Sequence, residues 1–186
     1  MTIQSTRLRL TGFTDRHLQE AYVSWLNDPL LMRYSEQRLR RHTLESCRQY
    51  MRSFEGTPNY FWAIEEIASG SHIGNLNAYV DPSNETADMG LLIGDKSASG
   101  KGLGTESWIA ACDFLFRHRN VRKVTAGTLS VNVGMIRVCE KSGMQIDGRR
   151  SRQAILDGQE VDMIYYASFR HSWLDKYTKP LIVVLP

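Results

Sequence analysis

The chain has 186 residues and carries 23 Lys and Arg against 20 Asp and Glu, a formal net charge of +3. That length suits a single domain, 1–186, with its own core and a C-terminal tail from about residue 171. The charge is too small to argue for nucleic acid, and it fits a pocket for a small anion equally well.

TRLRLTGF alternates polar and apolar residues and predicts a first strand. TDRHLQEAYVSWLNDP then places Leu18, Ala21, Tyr22, Trp25 and Leu26 on one helical face, with Thr14 or Asp15 as cap and Pro29 beyond its end. A second helix starts near Thr43, with Leu44, Cys47, Tyr50, Met51 and Phe54 apolar. YFWAIEEI, HIGNLNAYVD and TADMGLLIG follow as an antiparallel meander, turning at SGS and DPSNE. The glycine-rich SASGKGLGTES leads into a helix with Trp108, Cys112, Leu115 and Phe116 on one face. KVTAGTLSVN reads as a strand and GMIRVCEKSG as a short helix ending at Gly143. RQAILDGQEVDMIYYASF reads as two strands about an Asp157-Gly158 turn. The tail from His171 is ambiguous. The order is β-α-α-β-β-β-α-β-α-β-β, a mixed α/β (α+β) chain.

Cys47, Cys112 and Cys139 are odd in number and widely spaced, with no CxxC pair. Neither a disulfide framework nor a metal site is expected, and a reducing cytoplasm is the default. The N-terminal MTIQSTRLRL has no apolar signal segment, and the longest apolar run, LIVVLP, is too short to span a bilayer. No membrane partner is expected.

Three glycines, Gly100, Gly102 and Gly104, precede a predicted helix. The first N–H groups of a helix lack intrahelical partners, the helix dipole adds positive character there, and glycine lets backbone approach an anion closely. Residues Gly100–Thr105 are therefore a candidate phosphate cradle, with Lys101 adding charge. The P-loop pattern fails because no Lys follows Gly104. The dinucleotide fingerprint fails because Thr105 and Ser107 stand where its last glycine belongs. A flexible loop with a glycine turn is the plain alternative.

LLIGDKSASGKGLGTES resembles the acetyl-CoA-binding motif of the GCN5-related N-acetyltransferase (GNAT) superfamily, Q/R-x-x-G-x-G/A. Gly102 and Gly104 match it, and Ser99 departs at the Q/R position. NVGMIRVCEKSGM resembles the second signature of the family. Asn132, Glu140, Lys141 and Gly143 match; Met135 and Met144 depart. The resemblance extends to the branch that acts on ribosomal-protein N-termini. It implies a central, mostly antiparallel twisted sheet of about seven strands, helices on both faces, and a splay between the fourth and fifth strands. It further implies acetyl-CoA as co-substrate. Ser99, Gly100, Lys101, Gly102, Leu103, Gly104 and Thr105 would hold the pyrophosphate. Leu91, Leu92 and Ile93 would pair with the pantetheine arm, with Asn132 and Lys141 nearby.

The chemistry implied is direct acetyl transfer to a neutral primary amine, with a backbone N–H near Leu91–Ile93 polarising the thioester oxygen. Asp88 and Glu36 are the candidate bases; a solvated strand residue and a surface ion-pair partner are their plain readings. Cys139 occupies the position where relatives carry a Tyr acid, and the acid is left unassigned. For the acceptor, WLNDP…RYSEQR resembles members that acetylate amino sugars in glycan and flagellin modification. Arg33, Tyr34, Glu36, Arg38 and Asn77 are candidate contacts, and a nucleotide-linked sugar phosphate suits arginine. A protein N-terminus and a non-catalytic acetyl-CoA-binding module are the alternatives. An aminoglycoside is disfavoured, because a polycation wants an acidic pocket. A monomer or homodimer is expected, and the apolar tail is expected to pack on the domain or on a second subunit.

Overall fold

The computed structural model describes all 186 residues, and its first predicted strand is the second arm of a hairpin. Strand β1 (Thr2–Gln4) turns into β2 (Leu8–Gly12), with Thr2 opposite Thr11 and Gln4 opposite Arg9. The long helix predicted next is split. Thr14 begins a 3-10 turn over Asp15–His17, Leu18 bends the chain, and α1 spans only Glu20–Asn27. Leu18 and Tyr22 are buried as expected, but the break turns Ala21 to solvent. Helix α2 (Leu44–Arg52) starts at Thr43, whose Oγ1 accepts the Ser46 N–H at 3.1 Å while Ser46 Oγ accepts the Thr43 N–H at 2.9 Å.

The meander follows as β3 (Tyr60–Glu66), β4 (His72–Asp81) and β5 (Thr86–Ile93), paired antiparallel in turn. Then come α3 (Leu103–His118), β6 (Lys123–Leu129), α4 (Val133–Lys141), β7 (Gln145–Leu156), β8 (Gln159–Phe169), α5 (Arg170–Lys176) and β9 (Val183–Leu185). They form one sheet in the order β7-β8-β6-β5-β4-β3-β2-β1-β9, with β5 and β6 the one parallel pair. The strand count is nine rather than about seven, because β1 and β9 add one short strand each. The tail therefore packs on its own domain: Thr2 pairs with Leu185 and Gln4 with Val183.

Helices cover both faces of the sheet. On one face Trp62, Ile64, Leu76, Trp108, Phe114 and Phe116 form the main core, each at most 2% exposed. Each such side chain stabilises the fold by roughly 1.5–3 kcal/mol. On the other face α1 and α2 cover a smaller cluster around Phe13, Tyr22, Cys47 and Phe61. All three cysteines are free and buried.

Candidate active site

Strands β5 and β6 pair over three rungs only, Thr86–Lys123, Ala87–Val124 and Asp88–Thr125. Beyond Asp88 they part, while β5 stays paired with β4 as far as Ile93. The expected splay is present. Gly94 N–H donates to Ile73 O across β4 at 2.9 Å, and Glu85 O faces the β6 side, accepting from Arg122 N–H at 2.7 Å. Strand alternation then turns the amides of Leu91 and Ile93 toward the open side. They form a free edge of the kind an extended amide-bearing ligand pairs with.

The glycine loop stands at the end of that edge. Gly100 and Gly102 adopt φ of 73° and 76°, where a side chain is strained. Gly104 is needed for a different reason: a Cβ there would lie 3.3 Å from Leu91 Cδ2 and Ile93 Cγ1, so its absence lets α3 close onto β5. The N–H groups of residues 100–105 donate to no acceptor in the chain. Six amides at a helix start, with Lys101 exposed beside them, are the geometry that suits an anion. Leu103 is 2% exposed, so only its amide can serve the cradle. Arg7 braces the loop: its guanidinium donates to Lys101 O at 3.1 Å and to Glu106 Oε2 at 2.6 Å.

On the α1–α2 face the floor of the splay is polar. Thr125 Oγ1 donates to Asp88 Oδ1 at 2.6 Å. Burial raises the Asp88 carboxyl above its usual range, and the Thr125 hydrogen bond opposes this. Tyr79 lies opposite Asp88 on β4, and Asn77 lies opposite Gly90. Asn77 Nδ2 donates to Tyr50 Oη at 3.1 Å, and the Tyr50 and Tyr79 hydroxyls share a hydrogen bond of 2.9 Å. A Cβ on Gly90 would lie 2.4 Å from Asn77 Oδ1, so the glycine makes room for that amide.

Above this floor α1 presses on the end of β5, where a Cβ on Gly94 would lie 2.0 Å from the Trp25 ring. The α1–α2 loop docks on the β7–β8 turn. Arg33 Nη2 donates to Asp157 Oδ2 at 2.8 Å, and Arg38 donates to Ser35 O at 2.9 Å and Ile155 O at 3.2 Å. A cavity of about 390 Å³ lies between loop and turn, lined by Met32, Arg33, Arg38, Arg40, Arg41 and Asp157 among others.

A row of free amides leading into a helix, beside a parted strand pair, is the arrangement that the glycine motif implies. The family model for the acetyltransferase (GNAT) domain matches residues 7–145. The chain belongs to the GNAT family. Among curated relatives, a probable N-acetyltransferase, YjcK of Bacillus subtilis, is 26% identical over 112 residues, covering 59% of this chain and 61% of that protein. An aminoglycoside N(6')-acetyltransferase type 1 of Klebsiella pneumoniae is 31% identical over 120 residues, covering 64% of this chain and 57% of its own length. The chain thus spans about six tenths of the curated relatives that it matches. Among solved structures, the ribosomal L7/L12 N-acetyltransferase RimL with coenzyme A superposes at a TM-score of 0.80 with 18% identity, covering 91% of this chain and 98% of that one. Spermidine N-acetyltransferase of Vibrio cholerae, with CoA and spermine, gives 0.81 with 16% identity, covering 91% and 99%.

In this GNAT domain the other expected site residues divide. Asn132 ends the loop after β6 and caps α4, its Oδ1 accepting the Met135 N–H at 3.2 Å. Lys141 is the last residue of that helix, at the end away from Asn132. Ser99 is exposed and ends a 3-10 turn. Cys139 is fully buried in the core, and burial pushes its thiol up to about 12, so it offers no acid to the cleft. Glu36 is 73% exposed and faces Arg38 at 3.7 Å. Arg33 stacks over Tyr34 at 5.7 Å. On β7, Arg149 pairs with Asp162, the Arg152 N–H donates to Asp162 Oδ1 at 2.7 Å, and Arg150 lies over the Tyr165 ring at 5.1 Å. Arg7, Tyr50, Tyr79 and Thr125 escape the sequence reading. The period-two alternation of Asn77 and Tyr79 was the one available signal among them.

Proposed function

We propose that this chain transfers the acetyl group of acetyl-CoA directly to a primary amine, and that the amine belongs to an amino sugar. The six undonated amides of residues 100–105 at the mouth of the β5–β6 splay carry the reading. They suit a pyrophosphate, and the open amides of Leu91 and Ile93 suit the amides of a pantetheine arm. When bound, acetyl-CoA supplies an acyl carbonyl activated as a thioester. The chain's own part is to fix that carbonyl against a β5 N–H, which stabilises developing negative charge, and to take the proton of the acceptor. Asp88 is the base in this proposal. It stands at the apex of the splay, and its Oδ2 is left free by Thr125. Glu36, on the outer loop, is the weaker candidate.

The polar floor of Asn77, Tyr50, Tyr79 and Asp88 supports a hydroxylated acceptor, and the aminoglycoside enzymes among the relatives act, by name, on amine-bearing sugars. Of the arginines on the acceptor loop, Arg33 is held by the Asp157 carboxylate. Arg40 and Arg41 remain to meet a phosphate if the sugar is nucleotide-linked. The assay is acetyl-CoA titration by calorimetry, beside Gly102→Asp/Gly104→Asp. Micromolar binding by the parent, lost in a variant with an unchanged circular dichroism spectrum, supports the reading. Absence of binding by the parent overturns it. Thiol release with amino sugars, set against peptide N-termini, then decides the acceptor.

A further inference from the structure

We infer that the Tyr50–Tyr79 hydroxyl pair, held by Asn77, is the element that selects a hydroxyl on the acceptor, with the amine placed at Asp88. The inference rests on the amino-sugar acetyl-transfer reading and deepens it by naming the residues that tell a hydroxylated amine from a plain one.

The two hydroxyls carry one hydrogen each, and only one hydrogen lies in their shared 2.9 Å bond. Tyr50 Oη already accepts from Asn77 Nδ2, so we place the Tyr50 hydrogen on Tyr79 Oη. Tyr50 is the more enclosed of the two and can place its hydrogen well on Tyr79 Oη. The Tyr79 hydrogen is then left over. Tyr79 is 44% exposed, so the spare donor is at the surface of the floor. The chain runs from Asn77 through Tyr50 to Tyr79, and each donor polarises the next.

Three further observations fit a ligand with hydroxyls. Tyr79 is the cross-strand partner of Asp88, so the spare donor and the free carboxylate oxygen belong to one rung and one sheet face. The Tyr79 ring is stacked against Phe54 with centroids 5.6 Å apart, and Tyr50 packs on Phe61 at 5.1 Å, so neither hydroxyl swings freely. Burial pushes the Tyr50 hydroxyl well up, so Tyr50 acts as a hydrogen-bond group rather than a base. A simple alkyl amine would leave the spare donor and the lone pairs of Tyr79 unused. A ring amine with hydroxyls satisfies both.

The test uses the full chain saturated with CoA. Glucosamine and cyclohexylamine, ring amines with and without hydroxyls, are titrated by calorimetry into the parent, Tyr79→Phe and Tyr50→Phe. The expected result is that the parent prefers glucosamine, and that Tyr79→Phe lowers the preference up to about tenfold. Tyr50→Phe breaks the chain one link earlier and lowers it less. A phenylalanine keeps the ring and its packing, so a purely structural role would not change a ratio between two amines. An unchanged ratio in Tyr79→Phe, equal binding of the two amines by the parent, or CoA binding with neither amine bound overturns the inference. Absence of CoA binding overturns the acetyl-transfer reading instead.

Discussion

Arg7 Nε donates to Glu106 Oε2 at 2.6 Å across 99 positions of sequence, tying the β1–β2 turn to the first turn of α3. Ser5 Oγ and the Arg7 N–H also donate to Glu106 Oε1, at 2.8 and 2.7 Å. Burial pushes the Glu106 carboxyl up, but the bonds from Arg7 and Ser5 hold it below its usual 4.5. A lowered carboxyl contributes stability above its usual pKa and loses it as the pH falls through the folded value. Arg7→Met is expected to cost about 1 kcal/mol at pH 7, modest because Arg7 is half exposed. The urea midpoints of parent and variant should converge well below pH 4.5. A difference that persists at pH 3 would show that Arg7 acts through packing and not through Glu106.

Much of this site is legible in the sequence, and the part that is not shares one cause. Gly100, Gly102 and Gly104 stand out because positive φ and close packing both exclude side chains, so local spacing carries the signal. The splay follows from the same motif. Arg7 does not stand out, because its partner lies in another element and a lone arginine in a turn resembles any surface charge. Tyr50 reads as apolar core because helical spacing places its ring there, and its ring does pack on Phe61. The destination of its hydroxyl depends on Tyr79, 29 positions later. Strands β1 and β9 have three residues each, too few to show a period. The helix predicted between Thr14 and Pro29 breaks at Leu18, where the chain leaves the 3-10 turn over Asp15–His17 before α1 starts at Glu20.

Asp88 and Thr125 set an expectation for the pH profile of turnover. A base must be ionised, so the rate rises with pH through its pKa. Burial raises the Asp88 carboxyl, and the Thr125 hydrogen bond pulls it down. Thr125→Val removes that pull, so the acid limb of kcat/KM should move to higher pH. Asp88→Asn should lower kcat by about 10²–10⁴-fold with a smaller change in acetyl-CoA affinity. An unmoved acid limb in Thr125→Val would pass the base role to another group.

Two histidines under α1 make the fold sensitive to acid. The Thr14 N–H donates to His17 Nδ1, and His17 Nε2 lies 3.0 Å from Glu65 Oε1 and 3.1 Å from Arg16 Nε. His72 Nε2 donates to Gly74 O at 2.9 Å and to Asn75 Oδ1 at 3.1 Å. Phe13, Tyr22 and Trp25 surround the pair, with Arg16 and Glu65 the nearby charges. Burial lowers both histidines below their usual 6.5. The unfolded chain then binds more protons than the folded one as the pH drops through 6.5, so stability is full above that value and falls below it. The denaturant midpoint should decline from pH 7 to pH 5. In His72→Gln, which keeps a donor for Gly74 O but cannot titrate, the decline should be shallower. An identical decline would assign the acid sensitivity elsewhere.

The C-terminal tail is anchored on a buried carboxylate. Asp113 is fully buried and accepts from Arg117 Nε at 2.8 Å, Trp173 Nε1 at 2.9 Å and the Leu181 N–H at 2.9 Å. Arg117 in turn donates to Lys179 O at 3.2 Å and to Tyr177 O. Ile182 joins the main core and β9 completes the sheet beside β1. Removing residues 180–186 takes away one charge-assisted hydrogen bond, one buried Ile and a strand. The expected loss is about 3 kcal/mol, or roughly 6–12 °C in Tm. Asp113→Asn should cost a similar amount with the tail intact, because Arg117 loses its ionic partner in a site with little solvent. The two changes act on one network, so combining them should cost less than their sum. Additive losses would mean that the tail is held by β9 pairing alone. A truncated chain with an unchanged Tm and a smaller oligomeric state would mean that the tail serves a second subunit and not its own domain.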